Sequence, residues 1–222
     1  MRRRRVYAPS MLMEKLVVGP FQCNCSILAC ERSREAIVVD PGQEAERILA
    51  ILRDRGWKPK YLVHTHAHLD HVGATEAVAA ATRAEVCLHR EDSFLYDHVA
   101  MQAALFRLPS FSVPPVTQWI EDRDVLSFGG HRLEVFHTPG HTPGSVSFYL
   151  AGETGPQVFT GDTLFLGSIG RTDLWGGDFP QLLGSIREKL LCLDDRAVVH
   201  PGHGPETSIG AERRHNPFLA GL

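Results

Sequence analysis

Residues 61–73 read YLVHTHAHLDHVG, placing four histidines and an aspartate within eight residues directly after an apolar run. The run Tyr61-Leu62-Val63 predicts a strand that gives way to a loop, with a helix beginning near Asp70. His66 and His68, two apart in an extended segment, point the same way, whereas the adjacent Asp70 and His71 leave the helix start in different directions and suit a second ion. An isolated histidine is ordinarily a surface residue or a satisfied core residue, but that explanation does not extend to HxHxDH.

The same grammar recurs three times downstream. In VFHTPGH (135–141), VFTGD (158–162) and VVHPGH (198–203) an apolar run ends, a glycine turn follows, and His141, Asp162 or His203 stands at the turn. Gly140, Gly161 and Gly202 each remove a Cβ just before the candidate ligand, and side chains carried on strand-end loops can converge on one cleft. Five histidines and two carboxylates suffice for two cations. The reading assigns His66, His68 and His141 to one site and Asp70, His71 and His203 to another, with Asp162 bridging. Imidazole and carboxylate without thiolate suit zinc, iron or manganese. His64 and His137 are read as neighbours of ligands, and His89, His98, His131, His200 and His215 show no ligand spacing.

The rest of the chain sets the scaffold. With 222 residues, 43% hydrophobic, 22% charged and a net charge of −3, it reads as a single soluble domain spanning 1–222 rather than a disordered or polyanion-coating chain, which argues against a nucleic-acid partner. Residues 1–12, opening MRRRR, read as a flexible basic arm, because VYAPSMLMEKLVV at 6–18 has no continuous apolar stretch for an export signal or a membrane span. Cys23, Cys25, Cys30, Cys87 and Cys192 are odd in number and form no CxxC pair, which predicts free thiols in a cytoplasmic protein, with Cys23 and Cys25 as small hydrophobes on one face of a strand.

Strands are predicted at EKLVVG, CSILAC, EAIVVDPG, KYLVHTH and AEVCLH, then at HRLEVFHTPGH, SVSFYLAG, QVFTGD and RAVVHPGH. Helices are predicted at EAERILAILRDRGW, stopped by Gly56, and at DHVGATEAVAAATRA. DFPQLLGSIREKLLCL is the one clear helix of the second half, with Phe179 and Leu182 on its apolar side. Phe94, Tyr96, Met101, Phe106 and Phe111, in the helical and proline-punctuated region 91–116, read as core in preference to a cover over a cleft. Two sets of strands with intervening helices suggest two packed sheets with helix layers outside.

HAHLDH at 66–71, TPGH at 138–141, TGD at 160–162 and PGHG at 201–204 resemble, in order, the ligand motifs of the metallo-β-lactamase superfamily, and DPG at 40–42 resembles its further aspartate motif. The resemblance implies an αββα four-layer sandwich with the metals at one edge between the sheets. It makes Asp40 a group that orients a ligand, the alternative being a local Asp-Pro-Gly turn. Secreted zinc β-lactamases fit less well, because a cysteine generally stands there at the position of Asp162.

VVGPFQCNCSIL (17–28), GDTLFLGSIGRTDLWGGD (161–178) and SIGAERRHNPFL (208–219) are similar to short bacterial hydroxyacylglutathione hydrolases of the glyoxalase II group. That likeness implies two divalent cations, zinc foremost with iron or manganese as alternatives. It implies hydrolysis of a small thioester, glutathione-derived or otherwise, by a metal-bridging hydroxide, with Asp70 and Asp162 as the carboxylates of the reaction. Such a centre lowers the pKa of bound water from about 15.7 toward ~7. Glutathione persulfide dioxygenases resemble the chain as well and imply one iron held by His66, His141 and Asp162. The longer glyoxalase II enzymes carry a helical C-terminal extension with basic substrate contacts that these residues do not supply.

Overall fold

The computed structural model describes residues 10–152 and 155–221. Its first six strands, β1 (Met11–Val18), β2 (Cys23–Cys30), β3 (Glu35–Val39), β4 (Lys58–Val63), β5 (Glu85–His89) and β6 (Gln118–Ile120), form one sheet in chain order. β1 to β3 pair antiparallel, and β3 to β6 pair parallel. The second sheet is built from β7 (Val125–Phe128), β8 (His131–His137), β9 (Val146–Leu150), β10 (Gln157–Gly161), β13 (Val198–Pro201) and β14 (Thr207–Ser208), in the order β14-β13-β10-β9-β8-β7. Between β10 and β13 lies a small hairpin, β11 (Leu164–Phe165) with β12 (Ser168–Ile169).

The near-continuous apolar runs of β2 to β5 follow from burial on both faces. Leu28, Ile37, Val39, Val63 and Cys87 meet Phe128, Leu133, Val135, Val146 and Phe148 of the second sheet. The alternate residues Ile27, Ala29, Val38, Leu62, Val86 and Leu88 face the opposite way, onto Ile48, Leu52 and Val78 of the helices α1 (Ala45–Arg55) and α3 (Thr75–Thr82). On the far side, Val158 and Val199 pack on Leu182, Ile186 and Leu190 of α6 (Phe179–Ser185) and its π-helical continuation Ile186–Leu190, and on Ile209 of α7 (Ile209–His215). Helix, sheet, sheet, helix is therefore the layer order, as the motif resemblance implied.

Four expectations are corrected. Met11 and Leu12, assigned to the basic arm, are the first residues of β1, paired with Cys30 and Ala29; residues 1–9 of that arm lie outside the described residues. The helix expected at 70–84 is broken into α2 (Leu69–Val72) and α3. Gly73 sits so close to the 40–42 loop that a Cβ there would lie 2.4 Å from the Gly42 carbonyl oxygen, and the Ala74 amide donates to the Pro41 carbonyl at 2.9 Å. The second half contains a further helix, α7, which Ser208 caps by accepting from the Ala211 amide. Phe179, expected on the apolar side of α6, is exposed.

In the 91–116 region, α4 (Ser93–Asp97) and α5 (Val99–Leu105) bury Leu95, Tyr96 and Val99, but Phe94, Met101 and Phe106 are exposed. The core reading therefore fails for three of its five residues. Their shared segment borders the cleft beside the histidine cluster.

Candidate metal centre

All seven predicted ligands stand at one end of the two sheets, five on loops and Asp70 and His71 on α2, and the structure brings them together. Ligand atoms of His66, His68 and His141 lie within 4.8 Å of one another, as do those of His66, His71 and Asp162, and those of Asp70, His71 and His203. Asp162 stands 3.5 Å from His71 Nε2 and 3.6 Å from both His141 Nε2 and His203 Nε2, so it lies between the two groups.

Hydrogen bonds on the outer edges of the rings decide which nitrogen faces inward. His71 Nδ1 donates to Asp40 Oδ2 at 3.0 Å, His141 Nδ1 to the Arg171 carbonyl at 2.7 Å, and His203 Nδ1 to the Gln22 carbonyl at 3.3 Å. Thr65 Oγ1 gives its proton to Asp40 Oδ2 and so accepts from His66 Nδ1 at 3.1 Å. Each bond places the proton on Nδ1 and leaves an Nε2 lone pair pointing into the cluster. His68 is turned the other way, with Nδ1 2.9 Å from His141 Nε2.

A cation fits this arrangement on two observations. His66 Nε2 and Asp162 Oδ1 are buried without any hydrogen-bond partner, although buried polar atoms are nearly always paired. A Cβ at Gly202 would lie 2.3 Å from Asp162 Oδ1 and 2.8 Å from His71 Cε1, so only glycine lets the cradle close. The electrostatics divide the two groups. Against burial, Cys23 and the carboxylates hold His71 well above its ordinary pKa, and Asp70 and Asp162 raise His203, so a cation there displaces protons, whereas His66 and His68 are already neutral. Burial, reinforced by the neighbouring histidines, holds His66 well below its ordinary pKa and His68 at about 3, keeping both as the neutral imidazoles that ligate. Burial opposes charge on Asp70, but His71 and His203 outweigh it and hold the carboxyl below its usual range.

Two buried carboxylates knit the loops behind the ligands. Asp40, at φ 50°, accepts from the Thr65 amide and hydroxyl, both at 2.7 Å, as well as from His71. It is thus the orienting group that the DPG motif suggested, held in a left-handed conformation that aspartate tolerates better than most residues. Asp92 was missed by the sequence reading. Fully buried, it accepts from the Ala67 amide at 2.8 Å, the Thr142 hydroxyl at 2.9 Å and the Gly144 amide at 2.7 Å, tying the His66–His68 loop to the His141 loop. Burial pushes its carboxyl up against the pull of those three bonds.

His64 is a neighbour, as expected: its nitrogens are taken by the Cys87 carbonyl and Thr75 Oγ1. His89 and His137, read as lacking ligand spacing and as a ligand's neighbour, stack at 4.0 Å beside Glu91. Their planes are only 16° apart, and His137 Nε2 faces the Pro143 carbonyl at 2.8 Å. Lone pairs lie in the ring plane, so the two rings do not aim at a common point. Arg171 forms a two-pronged pair with Asp173, at 2.6 and 2.7 Å. Arg213 and Arg214 both pair with Asp195.

This fold, with histidine and aspartate donors gathered at one sheet edge, defines a class, and the chain belongs to it: residues 18–203 match the model of the metallo-beta-lactamase superfamily. It is 41% identical over 212 residues to hydroxyacylglutathione hydrolase GloC of Haemophilus influenzae, covering 94% of this chain and 98% of that protein. It is 31% identical over 219 residues to the mitochondrial persulfide dioxygenase ETHE1 of Bos taurus, covering 96% and 77%. Among solved structures, BLEG-1 B3 metallo-beta-lactamase superposes with a TM-score of 0.87 at 40% identity, over 95% of this chain and 100% of that one. TTHA1623 in a di-iron-bound form superposes with a TM-score of 0.84 at 39% identity, over 93% and 100%. The donors present and that di-iron neighbour point to divalent metal.

Proposed function

We propose that the protein is a metal-dependent thioester hydrolase resembling hydroxyacylglutathione hydrolase, and that it holds two divalent cations. The observation that carries this reading is the completeness of the second donor group. Asp70, His71 and His203 converge beside His66, His68 and His141, and Asp40 and the Gln22 carbonyl orient the two second-group imidazoles. A single iron on His66, His141 and Asp162 would leave that group without work. The 41% identity to GloC, spanning nearly all of both chains, supports the same choice.

When bound, a pair of cations supplies an acidified water at neutral pH and a Lewis acid for the carbonyl. The chain's own residues do the positioning. Asp162 reaches both donor groups, Asp40 and Asp92 hold the loops, and the buried ring faces of His66 and His71 exclude water from behind the centre. Hydrolysis forms a C–O bond and breaks the C–S bond, giving a carboxylate and a thiol. Because a thiol has a pKa of about 8.5, its thiolate leaves without a dedicated acid, in keeping with a site that presents none. Among the described residues no helix is long and apolar enough to cross a membrane, and all five cysteines are free, which supports a reducing compartment.

The test is metal analysis of the purified protein together with two assays. Two metals per chain and thiol release from S-lactoylglutathione without oxygen uptake are expected. One iron per chain, with oxygen consumed on glutathione persulfide, would establish the dioxygenase instead.

A further inference from the structure

Beside the metal centre lies a small, half-open cleft lined by His68, Leu95, Gln102, Leu105, Phe106, Leu174 and Trp175. Its wall is apolar, and its rim exposes hydrophobic surface to an unusual degree: Leu105 is 65%, Phe106 44% and Trp175 43% exposed. Phe21 extends the rim by an edge-on contact with Phe106, ring centres 5.3 Å apart. Two uncharged polar side chains stand in the lining, His68, whose Nε2–H is left as a donor, and Gln102, whose groups are already spent. Gln102 Oε1 accepts from the Leu69 amide at 3.0 Å, and its Nε2 donates to the carbonyls of Ala67 and Leu95 at 3.0 and 2.8 Å. His68 Nδ1 is turned away toward His141. Nor do the nearby guanidiniums line the cleft: Arg107 follows Phe106 as an exposed residue, and Arg171 is neutralised by Asp173.

A pocket that touches a candidate ligand and offers one side-chain donor in an otherwise apolar wall selects chiefly by apolar contact. Burying a charged group in it would leave most of that group's hydrogen bonds unmade, and a hydroxyl would find at most the one imidazole donor. Of the two halves of a thioester, a peptidic thiol such as glutathione carries carboxylates and an ammonium, which this lining cannot satisfy. We infer that the cleft is the acyl-group subsite and that the preferred substrates are thioesters of medium-length aliphatic or aryl acids, rather than of a short hydroxy acid. The inference rests on the thioester-hydrolase reading and names the substrate class for it. The reaction is redox-neutral, with water as the only co-reactant.

The experiment uses the purified holoenzyme and N-acetylcysteamine thioesters of acetate, lactate, butyrate and hexanoate. kcat/KM should climb about threefold to fourfold per added methylene, with lactoyl below butyryl. Phe106→Ala and Trp175→Ala should flatten that slope. Exchanging N-acetylcysteamine for glutathione at constant acyl group should change kcat/KM far less than the acyl series does. A flat or falling acyl series, or a preference for lactoyl, overturns the inference. If no thioester is hydrolysed, the hydrolase reading fails, and the subsite is judged separately from tryptophan emission. Hexanamide should perturb emission at concentrations where acetamide does not, and Trp175→Phe should abolish the response. Equal responses to the two amides would overturn the subsite on its own terms.

Discussion

Asp92 accepts a hydrogen bond from the Ala67 amide at 2.8 Å, joining two residues 25 apart in the chain and fixing the loop that carries His66 and His68. Its other two bonds, to Thr142 and Gly144, fix the loop that carries His141. Asp92→Ala leaves three donors unpaired in a buried site and should destabilise the fold by about 2 kcal/mol or more, measured by denaturant unfolding. Asp92→Asn keeps one carbonyl acceptor, so it should fold while binding metal about 10–100-fold more weakly in a chelator-competition titration. Unchanged metal affinity in Asp92→Asn would show that the loops hold their geometry without it.

Asp40 fixes the imidazole of His71 from the opposite side. Asn tolerates the left-handed backbone at φ 50°, so Asp40→Asn should preserve the fold. Its weaker acceptor no longer favours the Nδ1–H tautomer of His71, and affinity at the second donor group should drop about 10–100-fold. Because Asp40 also holds Thr65, which orients His66, the first group should weaken as well; unchanged affinity at the second site in a sequential metal titration would contradict the role given to Asp40.

Gly202→Ala isolates the closeness of the cradle. Its Cβ would meet Asp162 Oδ1 at 2.3 Å and His71 Cε1 at 2.8 Å, both at the centre and neither able to retreat far. The variant should lose metal stoichiometry and activity together. Full metal loading would show that the cradle has slack which the apposition of Gly202 and Asp162 denies.

Histidines outside the centre that burial keeps neutral, His64, His89, His131 and His200, contribute to the response to acid, with large shifts at His200 and His89. Burial, with Lys15 adding to it, lowers His200 from 6.5 to about 3, and burial followed by His137 lowers His89 from 6.5 to about 4. Above 6.5 both are neutral whether the chain is folded or not, so they contribute no slope there. As pH falls below that value the unfolded chain takes up protons that the folded chain refuses, and stability declines until the folded groups titrate near 3 to 4. His200→Gln should make this decline shallower in urea unfolding measured across the interval. An unchanged slope would remove His200 from the account.

The candidate ligands were legible because a metal site constrains residue type strictly and places it at strand ends, where an apolar run, a turn and a histidine or aspartate form a local pattern. Asp40 was visible for the same reason, within a three-residue motif. Asp92 was not. An aspartate ahead of a helix ordinarily caps it, yet Asp92, at the N-cap position of α4, makes no capping bond and turns its carboxylate to two distant loops instead. Nothing local distinguishes those uses. The break between α2 and α3 was hidden for a related reason, since Gly73 yields to the 40–42 loop rather than to its own neighbours.

The segment beside the cleft shows the limit from the other side. Helical spacing of Phe94, Met101 and Phe106 reads as core, because periodicity reports that a face is apolar without reporting what covers it.

By itself the sequence indicated nine of the strands, the two-sheet sandwich and seven candidate donors, because hydrophobic period and donor chemistry are properties of short stretches; β6, β7, β11, β12 and β14, of two to four residues, are too short to show a period. The tertiary structure alone decided which nitrogen of each imidazole faces inward, which buried carboxylates hold the loops, and that an apolar cleft opens beside His68. Those features depend on contacts between residues far apart in the chain, and only the folded chain sets the distances and directions that make them.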